Sequence, residues 1–207
     1  MQGTGSADLL VASSNPGKVV EIRRLLKPHD IQVIGLADLS DPPVLQEPYE
    51  SFEENACAKA SQGAEHVSMP ALADDSGLVV DALDGRPGVR SSRYADTDAA
   101  RIRRLLDEMT DVAPTHRGAR FVCVVALAGP AGIMGMWRGV VEGRIATEPV
   151  GNSGFGYDPV FYYPPTGQTF AQMSEEEKNR VSHRGRALGK MLEDLPAILR
   201  EQTNKTR

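Results

Sequence analysis

The chain is poor in cysteine and tryptophan, with two of the former and one of the latter in 207 residues. Two thiols do not make a disulfide framework. Cys123 lies inside the apolar run Phe121-Val122-Cys123-Val124-Val125 and Cys57 in a helix-like stretch, so both are expected as buried free thiols, as suits a reducing cytosol. No apolar stretch is long enough to span a bilayer, and the start shows no basic segment followed by an apolar one. A cytoplasmic protein without a membrane partner is therefore expected. There is no excess of basic charge either: 23 Lys and Arg against 28 Asp and Glu give a net charge of -5. That balance counts against wholesale nucleic-acid binding, because phosphate backbones reward basic surfaces. It leaves room for a local basic pocket that takes one small anion.

What is present fits a soluble globular chain. Hydrophobic residues make up 41% and charged residues 25%, which favours neither a disordered nor a fibrous class. The length allows one sizeable core, or two lobes sharing one sheet. Asp8–Ala12 reads as a short buried strand, followed by a turn into a helix with Asn15 as cap and Pro16 at the first helical position. Ile31–Leu36 reads as the next strand. Ser51 with Glu54 three residues on marks the start of a second helix. Leu72–Asp75 and Leu78–Ala82 read as strands broken by a tight Asp-Ser-Gly turn, and Asp98–Met109 as a third helix. Phe121–Ala128 and Ile133–Val141 are predicted to pair across Gly129–Gly132. Ser174 with Glu177 marks a short helix, and Ser182 caps a last one that carries Leu188, Met191, Leu192 and Leu195 before Pro196. Residues 1–7 and 202–207 read as flexible ends. The expectation is one α/β domain over residues 1–207, open to a bilobed form.

Five segments carry candidate chemistry. Ser13-Ser14-Asn15-Pro16-Gly17-Lys18 puts helix-start amides, short polar side chains and one ammonium where a phosphate could bind. It is not a Walker A loop, since Ala12 and Val19 stand where that motif needs Gly and Ser or Thr. The alternative is an ordinary capped helix with a solvated lysine. Asp74-Asp75-Ser76-Gly77 ends an apolar stretch. Adjacent carboxylates there point in different directions, so one can hold a metal while the other orients a water; the alternative is an Asx-type turn closed by Gly77. Asn55 and Lys59, four apart on the second helix, share a polar face that could meet a triphosphate or only solvent.

Gly151-Asn152-Ser153-Gly154-Phe155-Gly156-Tyr157-Asp158-Pro159 precedes a strand-like run, not a helix, which rules out a dinucleotide loop. Its rings could stack on a planar base while Asp158 accepts a ring N–H; equally, the rings could pack into the core. Lys178 and Ser182-His183-Arg184-Gly185-Arg186 form the last segment. Cations at His183 and Arg184 oppose the dipole of a helix start, which implies either compensation by Glu175, Glu176 and Glu177 or a role in holding an anion or carbonyl. His29, His66 and His116 read as surface histidines.

Taken in order, these blocks, with Pro87-Gly88-Val89 and Arg93-Tyr94 between them, resemble the inosine triphosphate pyrophosphatase (Ham1-like) family from Asp8 to Leu195. The resemblance implies an α/β fold with an elongated mixed sheet and flanking helices, forming two lobes around a central nucleotide cleft. It implies a homodimer that hydrolyses deaminated purine nucleoside triphosphates (ITP, dITP, XTP) to the monophosphate and pyrophosphate with Mg²⁺. By motif matching, Ser13, Asn15 and Lys18, within the 13–18 loop, would contact the triphosphate, and Lys59 would reach towards it. Glu47 and Asp75 would hold Mg²⁺, with Asp75 also the catalytic base and Asp74 its alternative. Ser76, Phe155, Gly156, Tyr157, Asp158, Lys178, His183 and Arg184 would surround the nucleotide. Pro48 and Tyr49 depart from the family pattern beside Glu47, as do Arg90 and Asp96 further on. Two other readings stay open: a Maf-type pyrophosphatase acting on pyrimidine or modified nucleotides, and a non-catalytic nucleotide-binding module.

Overall fold

The structure, a computed structural model, describes residues 7–29 and 31–205. Among the described residues seven strands occur: β1 (Ala7–Val11), β2 (Ile31–Gly35), β3 (Ala71–Val80), β4 (Gly118–Gly129), β5 (Gly132–Ile145), β6 (Phe161–Tyr163) and β7 (Gln168–Thr169). They belong to one sheet in the order β2-β1-β3-β4-β5-β6-β7. Five helices accompany them: α1 (Pro16–Leu26), α2 (Phe52–Val67), α3 (Asp98–Glu108), α4 (Glu175–Val181) and α5 (His183–Lys205). This is the mixed α/β sheet with flanking helices that the sequence led us to expect.

The chain forms two compact units. The first takes the chain up to Asp75, Val124–Arg138 and the chain from Ala187; the second takes Ser76–Cys123 and Gly139–Arg186. β3, β4, β5 and α5 each run from one unit into the other. In the first unit, β1 pairs in parallel with β2 and with the start of β3, where Leu10 faces Ala71. Leu9–Ala12 are buried as a run, as a parallel strand covered on both faces requires. Helix α2 approaches β1 closely: a Cβ on Gly63 would lie 2.8 Å from the Ala12 Cβ.

In the second unit, β6 pairs antiparallel with β5 and with β7. Its core gathers Leu78, Ile102, Leu105, Val141, Val160 and a ring cluster in which Phe121 and Phe170 each lie within 5 Å of Phe161, at centroid distances of 4.5 and 4.9 Å. Such tilted ring pairs add to the stabilisation from burial alone.

Several expectations need correction. Strand β3 is continuous from Ala71 to Val80, so no turn interrupts it at Asp74–Gly77. Gly77 serves close approach instead: a Cβ there would collide with the Gly88 carbonyl oxygen and stand 2.6 Å from Ser91 Oγ. Leu36 leaves β2 and opens a short 3₁₀ turn. Pro196 sits inside α5, which continues to Lys205 and so takes in Gln202–Lys205 of the expected loose end. Ala7 opens β1, whereas residues 1–6 and 206–207 lie outside the described residues. Cys57 is half-buried rather than buried; both cysteines are free. His29, His66 and His116 are exposed, as expected. Among the described residues no helix is long and apolar enough to cross a membrane.

Candidate active site

The first unit assembles a set of carboxylates and lysines. At the start of α1, Asn15 Oδ1 accepts from the N–H groups of Gly17 at 2.9 Å and Lys18 at 3.3 Å, while Asn15 N–H donates to Ser13 Oγ at 3.3 Å. Pro16 has no N–H to place. The amides expected to meet a phosphate are thus capped by Asn15 itself, and Ser14 is exposed beside them. Lys18 reaches away from its helix start, with Nζ 3.1 Å from Asp74 Oδ2.

Consecutive strand residues face opposite sides of a sheet, and each aspartate of β3 accordingly meets its own lysine. Asp74 is fully buried and pairs with Lys18. Asp75 meets Lys59, whose Nζ lies 3.4 Å from Asp75 Oδ1, donates to the Asp74 carbonyl oxygen at 2.8 Å and forms a short ion pair with Glu47. Asn55, also fully buried, donates to Asp75 Oδ2 at 3.2 Å. The same amide brackets the Tyr49 backbone, accepting its N–H at 3.0 Å and donating to its carbonyl at 2.9 Å. Asn55 therefore ties the Glu47–Tyr49 segment to Asp75, instead of presenting its amide outward.

This packing sets the protonation chemistry. Burial pushes the Asp75 carboxyl above the usual carboxylate range, with Lys59 and Lys18 opposing and Glu47 and Asp74 adding to the shift. For Lys59, burial alone would lower the ammonium, but the carboxylates of Asp75, Asp74 and Glu47 outweigh it and hold the group above its ordinary value.

The second unit assembles rings and cations around the loop 151–159. Phe155 O accepts from Asp158 N–H at 3.3 Å, and Phe155 N–H donates to Asp158 Oδ2 at 2.8 Å, closing a tight turn. Gly154 and Gly156 lie at φ +78° and +61°, values that a side chain disfavours. Lys178 Nζ donates to the same Asp158 oxygen at 2.7 Å and lies 4.8 Å from the centre of the Phe155 ring. Arg184, 1% exposed, places its guanidinium carbon 5.8 Å from that ring centre and donates to Ser76 Oγ at 3.1 Å.

The remaining residues of this set pack inward. His183 stacks on Phe121, with centroids 4.7 Å apart. Tyr157 belongs to the core, its hydroxyl donating to Ser91 O at 3.0 Å and pushed well above the usual phenol range by burial. Glu177 completes a capping box with Ser174, and Glu176 pairs with Arg180 on the surface.

A model of the Ham1 family matches residues 9–194. The chain belongs to that family. It is 47% identical over 194 residues to the dITP/XTP pyrophosphatase of Symbiobacterium thermophilum, covering 93% of this chain and 97% of that one. Against the dITP/XTP pyrophosphatase of Synechocystis it is 44% identical, with 92% and 96% covered. Among solved structures, a HAM1 protein from Coxiella burnetii superposes with a TM-score of 0.82 at 41% identity, over 92% of this chain and 99% of that one. The Staphylococcus aureus Ham1 protein gives 0.80 at 38% identity, over 92% and 98%.

For this Ham1 chain, sequence reasoning missed the residues that hold the site from outside the motifs. Asp98 Oδ2 accepts the Gly156 N–H at 2.7 Å, and Ser91 Oγ accepts the Leu78 N–H at 2.9 Å while donating to Gly88 O at 2.6 Å. Along the chain Asp98 was legible only as the start of a helix. Nothing along the chain marks a backbone partner 58 residues away.

Carboxylate oxygens are the donors that a hard divalent cation takes. Glu47 and Asp75 both reach one cationic centre, the Lys59 ammonium, so two carboxylates converge on a single positive charge. Among the described residues no group of three or more His, Cys, Asp and Glu side chains forms a metal cluster. Mg²⁺ needs no such cluster, because one or two carboxylates with waters and phosphate oxygens complete its shell.

Proposed function

We propose that this chain hydrolyses deaminated purine nucleoside triphosphates, namely ITP, dITP and XTP, to the monophosphate and pyrophosphate, acting in the cytoplasm as a homodimer. The observation that carries the reading is the pairing of consecutive aspartates with separate lysines, Asp74 with Lys18 and Asp75 with Lys59, with Glu47 on the second ammonium. The names of the relatives support the substrate class, and the two free cysteines are compatible with a reducing compartment.

Glu47 and Asp75 are the residues that would hold Mg²⁺, which when bound screens the polyphosphate and polarises a phosphoryl oxygen. The chain's own groups divide the rest of the work. Asp75, raised by burial, takes the proton of the water that attacks the α-phosphorus. A new oxygen–phosphorus bond forms there, and the bond from that phosphorus to the bridging oxygen of the leaving pyrophosphate breaks. Lys18 and Lys59 stabilise the charge that develops on the departing group. Asp74, fully buried against Lys18, fixes that lysine and takes no proton. Asn55 acts through Asp75 and the Tyr49 backbone as a positioning residue.

On the base side, Phe155 offers a ring face, and Lys178 and Arg184 lie over it as donors. Hypoxanthine and xanthine present a carbonyl acceptor at C6 where adenine presents an amino group. Donors aimed there leave buried groups unpaired with adenine, a mismatch worth roughly 10⁴–10⁵ in specificity. Asp158 spends Oδ2 on Lys178 and on the Phe155 N–H, so its part is to hold the turn and the lysine.

A steady-state panel of ITP, XTP, GTP, ATP and dTTP, with and without Mg²⁺, tests the proposal. ITP and XTP should lead, and only with the ion. Preference for dTTP would give the assignment to a pyrimidine-directed enzyme, and no turnover of any of them would leave a binding module.

A further inference from the structure

The loop that carries Phe155 is pinned from outside itself. Within the loop, Asp158 holds both ends of the 155–158 turn, through its N–H to Phe155 O and through Oδ2 to the Phe155 N–H. At the turn's apex, Gly156 keeps φ +61°, and a Cβ there would meet no atom within 4 Å, so no neighbour crowds that face of it. A hydrogen bond from outside the loop reaches this point: its N–H donates to Asp98 Oδ2 at 2.7 Å. Asp98 opens α3 and is held in turn by Arg101, whose Nη1 lies 2.5 Å from Asp98 Oδ1 and whose Nε donates to Ala95 O at 2.9 Å. The other carboxylate oxygen is thereby aimed at Gly156. A hydrogen bond to an ionised acceptor is shorter and stronger than a neutral one, so this contact is suited to fixing the glycine of a turn whose neighbours Tyr157 and Asp158 are already anchored.

We propose that Asp98 is a positioning residue for nucleotide binding: its carboxylate locks the Gly156 turn and so sets the Phe155 ring under Lys178 and Arg184. This rests on reading the Phe155 face as the base-binding side. The role assigned to Asp98 is indirect: its effect passes through one backbone N–H. Binding of the base should therefore suffer when it is removed, while the hydrolytic step, carried by Asp75, is left nearly intact.

The test compares Asp98→Ala, Asp98→Asn, Thr97→Ala and Phe155→Ala in the full chain. KM and kcat are measured for ITP with Mg²⁺, alongside the dissociation constant for IMP and the thermal midpoint. Thr97 caps α3 through its bond to Ala100 N–H at 3.1 Å, so Thr97→Ala weakens the same helix start without touching Gly156. Asp98→Ala should raise KM and the IMP dissociation constant about tenfold, the loss of one charge-assisted hydrogen bond, with kcat within about twofold. Asp98→Asn, which keeps an acceptor, should restore most of the affinity, and Thr97→Ala should leave it unchanged. If Thr97→Ala weakens binding as much as Asp98→Ala, or if Asp98→Ala leaves KM unchanged while Phe155→Ala raises it, the proposal is overturned and the base-side reading stands. If Phe155→Ala has no effect on KM either, both fall together.

Discussion

Lys59 Nζ lies 3.4 Å from Asp75 Oδ1, at the point where the Glu47 carboxylate also arrives. The ammonium stands where two acidic side chains from distant stretches converge, the buried Asp75 and the part-exposed Glu47, and it keeps them together. An arrangement of this kind is costly to bury and specific in geometry. It couples the acid that would take a proton to the lysine that would steady the leaving group.

Asp75→Asn should abolish turnover of ITP, with a loss of about 10²–10⁴-fold or more, because the neutral amide cannot accept the water's proton. The fold should survive, since the amide is isosteric and its oxygen can still accept from one of the two donors, Asn55 or Lys59, that Asp75 meets on separate oxygens. Rate and circular dichroism on the same preparation check this; a kcat near normal would remove Asp75 from the mechanism.

Arg184→Ala should narrow the gap between ITP and ATP. On the proposed reading, the guanidinium over Phe155 is the donor that would reward a carbonyl at C6, and removing it takes away that advantage. The ratio of kcat/KM for the two nucleotides is the measurement, and a tenfold narrowing corresponds to about 1.4 kcal/mol. An unchanged ratio would put base reading on other residues.

Gly77→Ala should destabilise the protein by about 1–3 kcal/mol, the usual cost of forcing atoms into a packed region. The added Cβ meets the backbone of Gly88 and the Ser91 hydroxyl, and neither is the free end of a flexible chain. Urea unfolding reads the change directly; a stability within error of the parent would mean the 88–91 segment yields at little cost.

Tyr157 gives a pH signature. Burial raises its hydroxyl in the folded state above the ordinary value of 10.0. The folded chain therefore keeps a proton that the unfolded chain gives up, and stability is full below pH 10 and falls as pH rises beyond it. Tyr157→Phe should cost about 1 kcal/mol at neutral pH, from the lost bond to Ser91 O, and flatten the decline above pH 10. Unfolding midpoints measured from pH 8 to 11 separate the two effects.

Much of the architecture was legible along the chain because its signals are local. Asn15 with Pro16, Ser51 with Glu54 and Ser174 with Glu177 announce helix starts through contacts two or three residues long, and the structure places caps at each. The β3 region was misread for the same reason in reverse. Asp-Ser-Gly is a good local turn, but pairing within the sheet and the close approach of Gly88 to Gly77 prevail over that preference. In the candidate site, the residue types were legible along the chain, while their partners were not. That Asn55 would bracket Tyr49, that Asp158 would face Lys178 and that Tyr157 would turn into the core depend on tertiary contacts that no spacing encodes.

The central claim is attack of water at the α-phosphorus with release of intact pyrophosphate. Hydrolysis of ITP in ¹⁸O-enriched water, followed by ³¹P NMR with Mg²⁺ present, tests it most directly. The account predicts IMP carrying the heavy oxygen and unlabelled pyrophosphate as the products. Appearance of IDP with labelled orthophosphate, or of label in the pyrophosphate, would contradict it.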